Sequence, residues 1–415
     1  MFRPMDRIDT DILIVGGGAA GLAATALFAA EGFDVTCVDA APPVTDAAAP
    51  GADLRTTALM TPSVEALTRA GAWAHLAPHA APLATMRLVD AGGPDPVPAP
   101  RETADFTAAE MQPEPFGWNL PNTALRAGLL ARLADLPRAR LRAPATLAAL
   151  TLRETEAIAR LDGPEPAQVR AKLVVAADGR DSAARTLAGL TARRWSYAQK
   201  ALVFAVAHPE PHGGVSTEIH RTGGPFTLVP LPDAADGAHR SSVVWMETGP
   251  KAAALAALAR DDAEGFAEAL NLRGCGALGG LALASPVATW PIIAQLAPRL
   301  DGPRTALIAE AAHVVPPIGA QGLNMSVADA ATLARIAGEA LRAGEDPGGA
   351  AALARYHRAR WPEMAARVAG IDALNRAAMA ESQVLRDLRR MGLRAAYQTA
   401  PVRRAAMRLG MGAKA

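Results

Sequence analysis

Two groups of residues in this chain have the types and spacing to do chemistry, and both are built on glycine. Near the N-terminus runs Asp11-Ile12-Leu13-Ile14-Val15-Gly16-Gly17-Gly18-Ala19-Ala20-Gly21-Leu22. Gly16 suits a tight turn, Gly18 lets the backbone approach a pyrophosphate, and Gly21 lets a helix pack close to a strand. The helix that follows presents free N–H groups and its positive dipole end to phosphate. Asp39 stands at the end of the next apolar strand, placed to accept hydrogen bonds from ribose hydroxyls, and an aspartate there fits a free 2′-OH. The elements around these residues complete the unit: a buried strand over 11–15, a helix over 19–31 ended by Gly32, and a strand over 34–38. The spacing and context together point to a bound dinucleotide.

The second group lies near the C-terminus: Ala306-Leu307-Ile308-Ala309-Glu310-Ala311-Ala312-His313-Val314-Val315-Pro316-Pro317-Ile318-Gly319-Ala320-Gln321-Gly322-Leu323-Asn324. Ala306–Ala309 reads as a strand returning to the nucleotide sheet, and Ser326–Leu341 as a long helix. Between the two groups, a strand from Lys172 ends in Asp178-Gly179, where ligands of such sheets bind. A short helix follows over 182–188. Gly274-Cys275-Gly276-Ala277-Leu278-Gly279 repeats the glycine spacing. It follows a helix rather than a strand, and reads as a helix end and loop. One nucleotide fold is therefore expected.

The connecting stretches are less uniform. Residues 40–52 and 90–100 are loops rich in Pro and Gly, and residues 54–59 lead into a helix at about 62–70. The run from Phe116 to Asn122 opens a helix over 123–136, with Asn122 in the N-cap place. Residues 201–207, 216–220, 226–230 and 241–247 read as short strands of an antiparallel sheet inserted into the first domain. Residues 251–271 read as one helix, and the chain beyond 346 is helical.

The composition is that of a soluble globular protein, and 415 residues with a net charge of +1 argue against a nucleic-acid binder. Cys37 and Cys275 make neither a disulfide framework nor a metal site, which fits a reducing cytoplasm. Asp6, Asp9 and Asp11 argue against a signal peptide, and no run is apolar enough to span a membrane. From residue 351 onward there are thirteen Arg and Lys residues, the last of them Lys414, against four acids. That surplus is either a solvated helical face or a dock for an anionic membrane or an acidic partner.

The whole pattern resembles the flavin-dependent aromatic hydroxylases related to para-hydroxybenzoate hydroxylase. Within them it is most similar to the ubiquinone-biosynthesis hydroxylases of the UbiH, UbiF and Coq6 type. The carriers are the N-terminal glycine motif, Leu54-Arg55-Thr56-Thr57-Ala58, Phe116–Asn122, Asp178-Gly179 and His313–Asn324. Tyr356–Pro362 and Asp372–Asn375 point to the ubiquinone group. The resemblance implies an α/β fold: a Rossmann-like FAD-binding domain (1–75, 101–190 and 286–345), an inserted, mostly antiparallel substrate domain (76–100 and 191–285) and a C-terminal helical region (346–415).

It implies FAD held by Gly16, Gly18, Ala19, Ala20, Gly21 and Asp39, with Arg55 and Asn122 near its phosphates and ribose. Asp178-Gly179 would serve FAD and NAD(P)H binding, and Glu310 the ribityl chain. Gly319, Gln321, Gly322, Leu323 and Asn324 would turn a helix start towards the flavin ring, with Pro317 beside its reactive edge. The family usually has Gly-Asp where this chain has Ala309-Glu310, so a carboxylate remains but is longer by one methylene.

The chemistry so implied is that of the cofactor. NAD(P)H would reduce the flavin, oxygen would form a flavin C4a-hydroperoxide, and the ring of a polyprenylated phenol would attack it. No metal is required. His313 is either a general base towards the phenol or a structural residue of its turn. His220 and Trp245, on the inserted sheet, are candidate substrate contacts or sheet-core residues. The implied partners are the phenol, molecular oxygen, a complex of ubiquinone-biosynthesis proteins and an anionic membrane surface reached by the basic tail. The implied place is cytoplasmic, peripheral on the inner face of the membrane. Three other readings use the same residues: a hydroxylase of another aromatic or polyketide substrate, an inactive structural subunit of a biosynthetic complex, and a reductase of the same fold that acts on prenyl double bonds without oxygen.

Overall fold

Ile12, Leu13 and Ile14 are completely buried, and Val15 nearly so. They form the centre of an eight-stranded sheet in a computed structural model that describes residues 6–95 and 97–411. Lys414 lies outside the described residues. The strand carrying them, Asp6–Val15, is longer than the apolar run because residues 6–10 pair in parallel with Ala167–Ala171. Backbone pairing continues past the point where side chains need burial.

The order across this sheet is Asp301–Gly302, Thr305–Leu307, Ala167–Ala176, Asp6–Val15, Val35–Val38 and Ala139–Arg142. All neighbours beyond the first pair are parallel. Thr146–Leu152 and Ala157–Asp162 extend it as antiparallel strands. The helix Ala19–Ala30 packs against Gln321–Arg342 and Asn122–Ala134. Gly21 allows the close approach at the first turn, since a Cβ there would lie 1.8 Å from the Gly16 carbonyl oxygen.

A nine-stranded sheet forms the second layer. It runs His313–Val314, Ala288–Leu296, Arg193–His208, His239–Thr248, Pro225–Pro230, Val215–His220, Thr85–Asp90 and Glu102–Thr107, with Ala282–Leu283 beside Arg193–His208. Most pairs are antiparallel, whereas Val215–His220 and Thr85–Asp90 are parallel. One face packs Phe204, Phe226 and Trp245 against Phe266 and Leu270. The other faces a cavity.

Several expected boundaries move. Glu102–Thr107, Ala288–Leu296 and His313–Val314 all belong to this second sheet, not to the nucleotide domain. Thr85–Asp90 and Glu102–Thr107 pair antiparallel, so the border expected at 100/101 falls between two neighbouring strands of one sheet. The helix expected over 251–271 is two, Gly249–Asp261 and Ala263–Gly274. Asp262 interrupts it by capping the second: its side chain accepts from the Gly265 N–H at 2.9 Å. Gly274–Gly279 is a helix end and a short 3-10 turn, as its context indicated.

A three-stranded sheet of Thr56–Met60, Gly117–Pro121 and Ala81–Leu83 bridges the two large ones. The chain ends in the helices Ala350–Ala378, Gln383–Gln398 and Ala400–Met411. No helix among the described residues is long and apolar enough to cross a membrane.

Candidate functional site

The two large sheets enclose a cavity of about 760 Å³. Its first end is made by backbone. Gly16 has φ +111° and its N–H bonds the Val38 carbonyl at 2.7 Å. Gly18 precedes the helix without a side-chain cap, and the first turn holds no acid, so its free N–H groups face the cavity with Gly18, Ala19 and Ala20. A Cβ on Gly18 would meet no protein atom within 4 Å. It would project into the space that a ligand must fill.

Asp39 borders the same end. Its Oδ2 accepts from the Gly17 N–H at 2.5 Å and its Oδ1 from the Ala41 N–H at 2.9 Å. It therefore fixes the glycine turn, and each oxygen keeps a second lone pair for a ribose. Gly21 does not line the cavity and acts through helix packing.

Arg55 and Asn122 meet at Asp53, a residue absent from the sequence-based site. Arg55 forks onto Asp53 at 2.7 and 2.8 Å and lies 4.4 Å from the centre of the Trp290 ring. Asn122 donates to Asp53 at 2.9 Å and accepts from the Thr57 hydroxyl at 2.7 Å. Asn122 is not an N-cap. Pro121 holds that place and Asn122 is the first helical residue, its amide already committed sideways. Burial raises the Asp53 carboxyl pKa, but the hydrogen bonds and charge of Arg55, with help from Asn122, bring it down to about 2.

Asp178 builds the turn that Gly179 (φ +86°) closes. It accepts from the Ser182 hydroxyl and from the Ala184 N–H. Arg180, next along, reaches Glu310 at 3.2 and 3.4 Å on the cavity wall.

The second glycine group is held from behind. Ala309 has φ +54°, in the left-handed region that glycine occupies at no steric cost, which accounts for the family's usual glycine there. Its N–H donates to Asp329 at 3.3 Å. Asp329 is completely buried and also binds His313 Nε2 at 2.7 Å and Arg360 at 2.9 Å. Burial opposes its charge, yet Arg360 and His313 hold its carboxyl below the usual range. His313 is thus a buried brace with its Nε2 on Asp329, and it also contributes to the cavity lining.

Gly319 and Ala320 follow with φ +62° and +55° and lead into the helix at Gln321, five residues before the expected start at Ser326. Gly322 falls in the first turn, where N–H groups are unpaired anyway, so it does not delay the helix. Gln321, Gly322 and Leu323 line the cavity, as do Pro316 and Pro317. The Gln321 amide is turned away, donating to the Gly319 and Gly410 carbonyls and accepting from Arg367. Asn324 does not line the cavity. It staples the helix start to Thr56–Met60, accepting from the Met60 N–H at 2.8 Å and donating to the Ala58 and Ala320 carbonyls at 2.7 and 2.6 Å.

At its other end the cavity is walled by the second sheet. Glu218, Thr227, Val244 and Val203 lie side by side across four strands and all face it. Trp245, one residue on, points into the opposite core and is 2 % exposed. His220 stands beyond the lining, its Nε2 2.7 Å from Glu218 Oε1 and its buried Nδ1 without a partner among the described residues. Neither residue reaches the cavity. Glu218 does, and among the described residues its Oε2 has no hydrogen-bond donor. Its strand alternates Ser216 and Glu218 against buried Ile219, a signal that could have pointed to it. No metal-holding cluster occurs among the described residues.

Two helix N-termini converging on one elongated cavity, with a glycine cradle open at Gly18, fit FAD lying extended between the sheets. That arrangement defines a flavoprotein of the aromatic-hydroxylase fold. Residues 9–371 match the family described as FAD binding domain. The chain is 35 % identical over 404 residues to ubiquinone hydroxylase UbiL of Rhodospirillum rubrum, covering 97 % of this chain and 89 % of that one. It is 28 % identical to the 3-demethoxyubiquinol 3-hydroxylase of Escherichia coli, covering 98 % and 100 %. In fold it is similar to p-nitrophenol 4-monooxygenase PnpA of Pseudomonas putida, with a TM-score of 0.77 at 19 % identity over 99 % of this chain and 100 % of that one. The chain belongs to the FAD binding domain family, in its group of ubiquinone hydroxylases. It is an FAD-dependent aromatic-ring hydroxylase.

Proposed function

We propose that this enzyme hydroxylates the ring of a polyprenylated phenol in ubiquinone biosynthesis, with NAD(P)H as transient electron donor. The observation that carries this reading is the sheet wall. It is apolar at Val203, Val244 and Val229, and carries one carboxylate, Glu218, with Ser216 and Thr227 beside it. A ring with one hydroxyl and an apolar tail matches such a wall.

Bound FAD, once reduced, would activate molecular oxygen so that one atom enters the ring and the other leaves as water. The protein's residues do the rest. The helix starts at Ala19 and Gln321 bind and orient the cofactor with backbone N–H groups. Glu218 Oε2 accepts the phenol O–H, which raises electron density on the ring, and His220 holds the carboxylate in place. Pro316, Pro317 and the apolar strands exclude water. A substrate with a polyprenyl chain resides in the bilayer, so the enzyme works at a membrane surface, alone or among other ubiquinone-biosynthesis proteins.

The test is the visible spectrum of the purified protein, followed by oxygen uptake and product analysis with a short-chain prenylated phenol and NADH or NADPH. One FAD per chain and a hydroxylated ring are expected. A protein that takes up no FAD, or one that turns every phenol assay into hydrogen peroxide alone, overturns the reading.

A further inference from the structure

The helix Gln383–Gln398 has two faces of opposite kinds. Its inner face is clamped to the body. Arg389 donates to the buried Asp90 carboxylate at 2.9 and 3.1 Å, and Arg101 pairs with Asp387 at 2.6 Å. Leu393 and Tyr397 pack into a cluster with Phe106 and Met86. The following helix, Ala400–Met411, is held by Arg403 on Glu110 at 2.8 Å and buries Met407 in the same cluster.

The outer face carries Val384, Leu385, Leu388 and Met391, each more than half exposed. At roughly 100° per residue these four fall in one arc, together with exposed Gly392 and Ala395. Arg394 borders the arc, and Arg404 and Arg408 are exposed on the next helix. None of these three makes an ion pair among the described residues. An apolar stripe of this size, bordered by uncommitted arginines and by an Asp387 already paired with Arg101, is unfavourable in water and fits an interface that is apolar beneath and anionic at its surface.

We propose that this outer face docks on an anionic bilayer, with Val384, Leu385, Leu388 and Met391 set into the headgroup boundary and the arginines on the lipid phosphates. A second copy of the chain is a poorer occupant, because self-pairing would bring the uncommitted arginines together. The position also suits delivery. Met60, Leu83 and Met86 belong to the cluster under the tail helices and also line the cavity. Apolar side chains therefore connect the inner face of the tail helices, beneath the docking face, to the sheet wall. This delivery role rests on the proposed substrate; the docking itself does not.

The FAD-loaded full chain would be sedimented with vesicles of phosphatidylcholine plus phosphatidylglycerol, and with phosphatidylcholine alone. Binding to the mixed vesicles, weakened by salt, is expected. The double variant Leu385→Glu, Leu388→Glu should keep its flavin spectrum and its turnover of a soluble short-chain phenol, while its vesicle partitioning falls about tenfold or more. Arg394→Gln with Arg404→Gln should lose most of the preference for phosphatidylglycerol. The proposal is overturned if the native protein stays in solution with both vesicles, or if the double variant binds as well as the native chain. A double variant that changes only its size in solution also overturns it, since the face is then a contact between copies. Vesicle binding without any phenol hydroxylation retires the substrate reading and leaves the docking face standing.

Discussion

The two ends of the cavity are made by different means. At the cofactor end the working groups are backbone N–H groups, set by short segments in which neighbours in sequence are neighbours in space. At the wall the working groups are side chains, one from each of four strands, brought into line only by sheet register. A local motif can be read from its own letters. A wall cannot, because whether Val244 or Trp245 faces the ligand depends on pairing partners far along the chain.

The difference can be tested, because damage at the first end should remove the flavin, and damage at the wall should spare it. Gly18→Val is the largest expected effect. A Cβ at this position meets no protein atom within 4 Å, so the chain should fold, give a native circular dichroism spectrum and purify without FAD. A yellow mutant with full flavin content would end the assignment of that turn. Asp329→Ala should come next. It strips the partner from buried Arg360 and should destabilise the protein by about 3–5 kcal/mol in urea titration, with flavin lost in parallel. An unchanged urea midpoint would mean that the brace does not hold the second glycine segment.

Glu218→Gln should leave flavin content and stability intact and lower kcat/KM for the phenol by roughly a hundredfold, with more hydrogen peroxide per turnover. Unaltered coupling would move the phenol hydroxyl elsewhere. Acid should act on the cofactor end through Asp53, whose folded pKa of about 2 lies below its ordinary 3.8. A depressed carboxylate contributes its full stability above the ordinary value and loses it as the pH falls towards 2. Thermal melts from pH 5 downward should therefore drop less steeply in Asp53→Asn, already destabilised, than in the native chain. The smallest change is Ala309→Gly. Relief of the left-handed alanine should stabilise by about 1 kcal/mol, seen as a small rise in Tm.

The same contrast explains what could be read beforehand. The strand at Ile12–Val15, the glycine turn, Asp39 and the segment through Gly322 were legible because each is a local pattern with a local reason. Four strands of the second sheet, at 201–207, 216–220, 226–230 and 241–247, were legible as short apolar runs between turns; the other five were not. Glu102–Thr107 and Ala288–Leu296 lie beside nucleotide-domain elements in sequence, and only pairing with distant strands assigns them to the second sheet. For His220 and Trp245 the letters leave open substrate contact or sheet core; Trp245 points into the core and His220 stands behind Glu218. The Asp329 brace was invisible because His313, Asp329 and Arg360 share no spacing. Asn324 carried a motif letter but spends its amide on backbone.

That brace also orders events in time. The glycine turn leaves the ribosome first, but the segment facing it should hold its shape only once Arg360 has been made and has met Asp329. A nascent chain therefore displays half a binding site through most of its synthesis. Loading with FAD belongs to the finished chain, and any fragment cut short of residue 360 should accumulate as an apoprotein, however intact its first sheet.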